Sequence, residues 1–98
     1  MFIVFLKFTG DKSRAPDFMA GHNAWIRDGF ANGYFLMVGS LQSGAGGAIL
    51  AHNITHADLE SFIAEDPFVA EGIVTPEVVG VTPGRTDTRL DFLVPTER

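Results

Sequence analysis

The run LESFIAEDPFVAEGIVTPEVVGV, residues 59–81, changes its hydrophobic period midway, and that change decides the fold. Leu59, Phe62 and Ile63 recur at spacings of three and four, the stripe of a helix with one buried face. From Val74 the residues turn β-branched, and VTPEVVGV (74–81) reads as a strand. Pro76 inside it points to an edge position or an early bulge, because proline cannot donate to a ladder. Between the halves stands Asp66-Pro67. The proline pushes residue 66 out of the helical region, so the helix ends there. Asp66 follows Ile63 by three and Phe62 by four, which extends the apolar face with a carboxylate. Two readings stay open. Asp66 caps a new turn beginning at Pro67, or it is aimed at a pocket and a partner. They are compatible if one oxygen caps while the other faces an imidazole.

Working outward, Thr55 opens the helix, with Asp58 three residues on as a weak capping box. Upstream, YFLMVGSL (34–41) and AILAH (48–52) read as two strands joined by a Gly-rich turn at 42–47, a hairpin with a longer loop. Before them Pro16 suits the first turn of a helix. Phe18, His22, Trp25, Ile26 and Gly29 line one face of that helix, and Asn32-Gly33 closes it. FIVFLKF (2–8) is β-branched and aromatic, apolar on both faces through Leu6, as suits a central strand. The order βαββαβ, with both helices on one face of an antiparallel sheet, is the ferredoxin-like arrangement of the α+β class. Residues 1–83 form this domain. Residues 84–98 are a more polar extension whose patch around Leu90 to Val94 is available to a neighbouring subunit.

Composition narrows the function classes. A chain of 98 residues is one domain, and nine Phe are hard for so short a monomer to hide. The sheet face without helices invites a second sheet, so a homodimer or higher homo-oligomer is expected. Seven basic residues against twelve acidic ones, net charge −5, form no basic stripe, which argues against nucleic acid and anionic membranes. There is no cysteine, hence no disulfide, thiolate metal site or Cys nucleophile. The N-terminus lacks the features of a signal peptide and no apolar run reaches the ~20 residues of a membrane span, so a cytoplasmic protein is expected.

The chemistry-bearing candidates each have a plain alternative. His22 is either a half-buried core histidine or a general acid/base, since imidazole titrates near neutrality. Ser40 is a strand-end hydroxyl or a substrate contact; it lacks the strand–elbow–helix setting of a hydrolase nucleophile. SGAGGA (43–48) precedes a strand rather than a helix, so it reads as a turn and not a phosphate cradle. His52 and His56 straddle a strand end and a helix start, which is no metal pair, and no metal is expected. Trp25 and Tyr34 read as core or pocket wall.

MFIV (1–4), AGHNAWI (20–26), GYFLMVGSL (33–41), GGAILA (46–51), IAEDPFVAEGI (63–73) and VTPEVVGVTP (74–83) together resemble the YCII-related family. The specific part is the EDPF step with the upstream His. The resemblance implies a ferredoxin-like subunit assembled as a dimeric α+β barrel, and a His-Asp pair lining a pocket, which falls on His22 and Asp66. The family's GP or GS strand end is Gly39-Ser40 here. Most members have no assigned reaction. Relatives similar to muconolactone isomerases include a dehalogenase of ring-cleavage products. The expectation is therefore cofactor-free proton transfer on a small organic acid or lactone, carboxylate-bearing, by a lyase, isomerase or dehalogenase-like enzyme. Asp66 orients His22, Gly39 lets substrate approach the strand, Ser40 binds it and Trp25 contributes to the wall. The alternative is a non-catalytic metabolite- or protein-binding module with a structural His-Asp pair.

Overall fold

The computed structural model describes residues 1–95; the last three residues of the expected extension lie outside them. The elements run β1 (Phe2–Phe8), α1 (Ala15–Ala31), β2 (Phe35–Ser40), β3 (Gly46–Ala51), α2 (His56–Ala64), α3 (Pro67–Ala70) and β4 (Val74–Gly80). The four strands form one antiparallel sheet in the order β2-β3-β1-β4. This is the ferredoxin-like α+β fold, the subunit type of dimeric α+β barrels. As expected, apolar β1 is central and proline-bearing β4 is an edge.

Alternation along the strands sorts the residues into two faces. Val4 and Leu6 of β1, Ile49 and Ala51 of β3 and Val74 of β4 are buried in the core beneath the helices. Their neighbours point the other way. Register aligns Met37, Leu50, Ile3 and Val79 across all four strands, an apolar row on the face without helices. Met37 and Val79 are 46% and 40% exposed there.

The helix ends follow local chemistry. Thr55 accepts from the Asp58 amide at 3.1 Å, half of the expected capping box. α1 starts with proline in its first turn and ends at Asn32, followed by Gly33 at φ 79°. An added Cβ on Gly21 would lie 3.0 Å from Pro67 Cγ, so a larger residue there would press α1 away from α3.

The Gly-rich turn is shorter than expected. Gly46 and Gly47 belong to β3, paired with Lys7 and Leu6 of β1. Gly46 has φ 146°, and a Cβ there would sit 2.0 Å from the Leu6 carbonyl oxygen. Only glycine permits that backbone so close to a neighbouring strand. Beyond β4, residues 88–93 form a kinked 3₁₀ segment. Phe92 packs its ring on His52, centroids 5.5 Å apart, yet stays 58% exposed. The extension thus has a contact within its own subunit.

Candidate active site

The first residue of the site is placed by a backbone rule. Asp66 has extended φ/ψ (−64°, 123°), as a residue before proline should, and is the N-cap of α3. Its Oδ1 accepts the Phe68 amide at 3.1 Å. The same oxygen receives His22 Nδ1 at 2.8 Å, across forty-four positions of sequence. The expected division of labour, one oxygen for each task, is therefore corrected: Oδ1 performs both, and Oδ2 is buried with no hydrogen-bond partner among the described residues. A single oxygen can serve both donors because its two lone pairs point in different directions. Asp66 is 0% exposed and is the one buried charged residue of the described core.

His22 is placed by helix periodicity and by rings. It faces Phe68, the residue whose amide Asp66 caps, at 4.0 Å between centroids and 7° between planes. The His22 side chain is 14% exposed. An ionised carboxylate can only accept, so Nδ1 is the nitrogen that carries a proton toward Asp66, and in the neutral ring Nε2 keeps its lone pair. Nε2 has no partner among the described residues.

His22 lines a cavity of about 350 Å³ between α1 and the sheet. Leu6, Phe8, Ile26, Val38, Ile49 and Phe68 make it mainly apolar, with Asn23 and Ser40 as the other polar side chains. Both are exposed, so they stand at its mouth. No Lys or Arg is among the lining residues.

Ser40 and Gly39 thus reach the cavity with His22, while one other sequence assignment is corrected. Trp25 does not line it. Its indole is buried behind His22, ring centroids 6.0 Å apart, donating from Nε1 to the Phe62 carbonyl at 2.8 Å and stacking on Phe62 at 5.2 Å, so Trp25 is 5% exposed core. Gly39 lines the cavity only with its backbone. A Cβ there would meet Met37 Sδ at 3.5 Å, an ordinary contact on the opposite face. Gly47 lines it too, and alternation puts it on the same face as Ile49. Sequence reasoning also missed Phe68 and Asn23. The signal was available for Phe68, since the residue after an Asp-Pro cap begins the turn that Asp66 must touch.

His52 and His56 do not converge. His52 meets Phe92, and His56 pairs with Glu60 at 3.2 Å, one helical turn away. Among the described residues no three His, Cys, Asp or Glu side chains gather in a metal-binding group, and no helix is long and apolar enough to cross a membrane.

No family model and no curated protein matches this chain. Among solved structures it is similar to 5-chloro-2-hydroxyhydroquinone dehydrochlorinase from Burkholderia phenoliruptrix AC1100, in complex with 2,5-dihydroxybenzoquinone. The TM-score is 0.71 at 19% identity, over 85% of this chain and 94% of that one. The likeness is one of fold.

Proposed function

We propose that this chain is a small-molecule enzyme, related to the YCII-related family, in which His22 and Asp66 carry out cofactor-free general acid/base proton transfer. The observation that carries the reading is the 2.8 Å contact from His22 Nδ1 to a fully buried carboxylate, on a histidine that lines a mainly apolar cavity. Asp66 fixes the ring and its tautomer and offsets the imidazolium that forms when Nε2 takes a proton. Phe68 holds the ring plane. Ser40 and Asn23 orient the substrate at the mouth. The chemistry is of the lyase, isomerase or dehalogenase type, and the name of the dehydrochlorinase of similar fold fits that class. In this reading a second copy covers the apolar row of the open sheet face, making a homodimer.

The competing reading is a binding module with a structural dyad. It is favoured by the cap: Asp66 Oδ1 would be needed for α3 even if His22 did nothing. Assays of lactone isomerisation and dehydrochlorination on the parent and His22→Ala separate the two. A loss of on the order of 10²–10⁴ in turnover is expected. Turnover unchanged in His22→Ala eliminates the catalytic reading.

A further inference from the structure

Both members of the dyad are held in place by other contacts, which leaves one distance to set. Asp66 Oδ1 accepts the Phe68 amide at 3.1 Å, so the carboxylate cannot swing to follow a partner without losing its cap. His22 is stacked on Phe68, centroids 4.0 Å apart and planes 7° from parallel, so the ring cannot turn freely to lengthen its reach. The 2.8 Å contact therefore depends on the spacing of α1 and α3. That spacing is met next to both partners: Gly21 precedes His22, and Pro67 follows Asp66. A Cβ on Gly21 would stand 3.0 Å from Pro67 Cγ and 3.7 Å from Pro67 Cβ. Among the described residues beyond α1 it would meet no other group within 4 Å. The proline ring is closed on its own backbone. Beyond a change of pucker it gives way only by moving α3, and Asp66 with it.

Glycine at this position is otherwise a disadvantage. Residue 21 is exposed and lies inside a helix of 17 residues. At such a place alanine in place of glycine favours folding about fivefold. Pro67 is the group that asks for so small a residue.

We propose that Gly21 is a positioning residue of the dyad: its missing side chain lets α1 and α3 approach closely enough for His22 Nδ1 to reach Asp66. This rests on the dyad reading above and adds a residue that acts through the spacing of two helices. A side chain at position 21 strengthens α1 and lengthens the contact, so stability and site geometry move in opposite directions.

The test is the tautomer of His22, read from long-range ¹H–¹⁵N correlations of the intact protein at pH 9, well above the ordinary imidazole value of about 6.5. Which ring nitrogen carries the proton is set by the hydrogen bonds the ring makes. The parent should hold the Nδ1–H form, and a ring that loses its acceptor reverts toward the Nε2–H form of free histidine. Gly21→Ala should raise the urea midpoint and lower the ratio of Nδ1–H to Nε2–H. Gly21→Val, whose branched side chain crowds Pro67 further, should lower that ratio roughly tenfold, the worth of one hydrogen bond. Arg14→Ala is the control. Arg14 donates to the Glu71 carbonyl at 3.2 Å and to its carboxylate at 3.1 Å, past the far end of α3, so its loss should leave the ratio at the parent's value. An unchanged ratio in both Gly21 variants overturns the proposal and leaves the dyad standing. A ratio that falls as far in Arg14→Ala overturns it too, since any loosening of α3 would then suffice. Midpoint and ratio falling together in Gly21→Ala also overturn it, because the glycine would then serve the packing of the fold. A parent ring that does not hold Nδ1–H overturns the proposal together with the dyad reading.

Discussion

Two corners of this molecule use the same local device for different ends. At Asp66 and at Asp87, an aspartate in extended conformation precedes a short helical segment and accepts the amide two residues on, at 3.1 and 2.9 Å. Asp87 is exposed and receives its own neighbour, Arg89 Nε, at 3.0 Å. Asp66 is wholly buried and receives His22 from another helix. The cap is a local matter in both. What makes Asp66 a candidate for chemistry is burial and a distant partner. Capping alone is therefore poor evidence of function, and capping does not argue against function either.

Removing each carboxylate tests this contrast most strongly. Asp66→Ala deletes a cap and leaves a buried imidazole N–H without an acceptor, so urea unfolding should show a loss of about 3 kcal/mol. Asp87→Ala should leave the global midpoint within the scatter of the parent and change only hydrogen exchange in its own turn. Equal effects would break the comparison. Next in size, a double-mutant cycle of His22→Ala with Asp66→Ala should give a coupling of about 1–3 kcal/mol. The corresponding cycle for Asp87 and Arg89 should give none that unfolding can resolve, because exposed pairs are screened.

Trp25→Phe sharpens the boundary of the site. It removes the hydrogen bond to the Phe62 carbonyl, at a cost of about 1–2 kcal/mol in the same unfolding measurement. Turnover of a lactone or dehydrochlorination substrate should be unchanged, since Trp25 faces the core and not the cavity. A parallel loss of turnover would return Trp25 to the pocket.

The smallest effect is one of pH. Hydrogen bonds from Arg89 hold the Asp87 carboxyl below its ordinary 3.8, and those from Ser13 do the same for Asp11. A depressed value means the folded state binds the proton less readily than the unfolded chain. The stabilisation is then complete above the ordinary value and disappears as pH falls through the folded one. Amide protection in these two turns should accordingly fade only below about pH 4, ahead of any change in the core. Fading near neutrality would contradict the assignment.

The fold was legible because its signals are local and repeated. Hydrophobic period marked every strand and both long helices, and Pro76 announced the edge strand. The misread Gly46 and Gly47 show the limit. Glycine composition reads as a turn, but here it answers the steric demand of β1 lying alongside, which no local window contains. The site was half legible. Asp66 stood out as a carboxylate on an apolar face, His22 as a histidine on another. Their contact depends on how closely α1 meets α3, a matter of Gly21 against Pro67. Trp25 was misassigned to the pocket wall for one reason. Residues near a pocket in sequence need not point into it, and direction comes from alternation and from where an indole finds its acceptor.

The shared oxygen of Asp66 has a spectroscopic consequence. Phe68 N–H and His22 Nδ1 bond to the same atom, so the Phe68 amide senses any change in how strongly the imidazole draws on that oxygen. Its proton and nitrogen resonances should therefore move when a ligand engages Nε2, although the amide itself touches no ligand. One backbone signal, in a chain labelled only with ¹⁵N, would serve as an occupancy gauge for the cavity before any substrate is known.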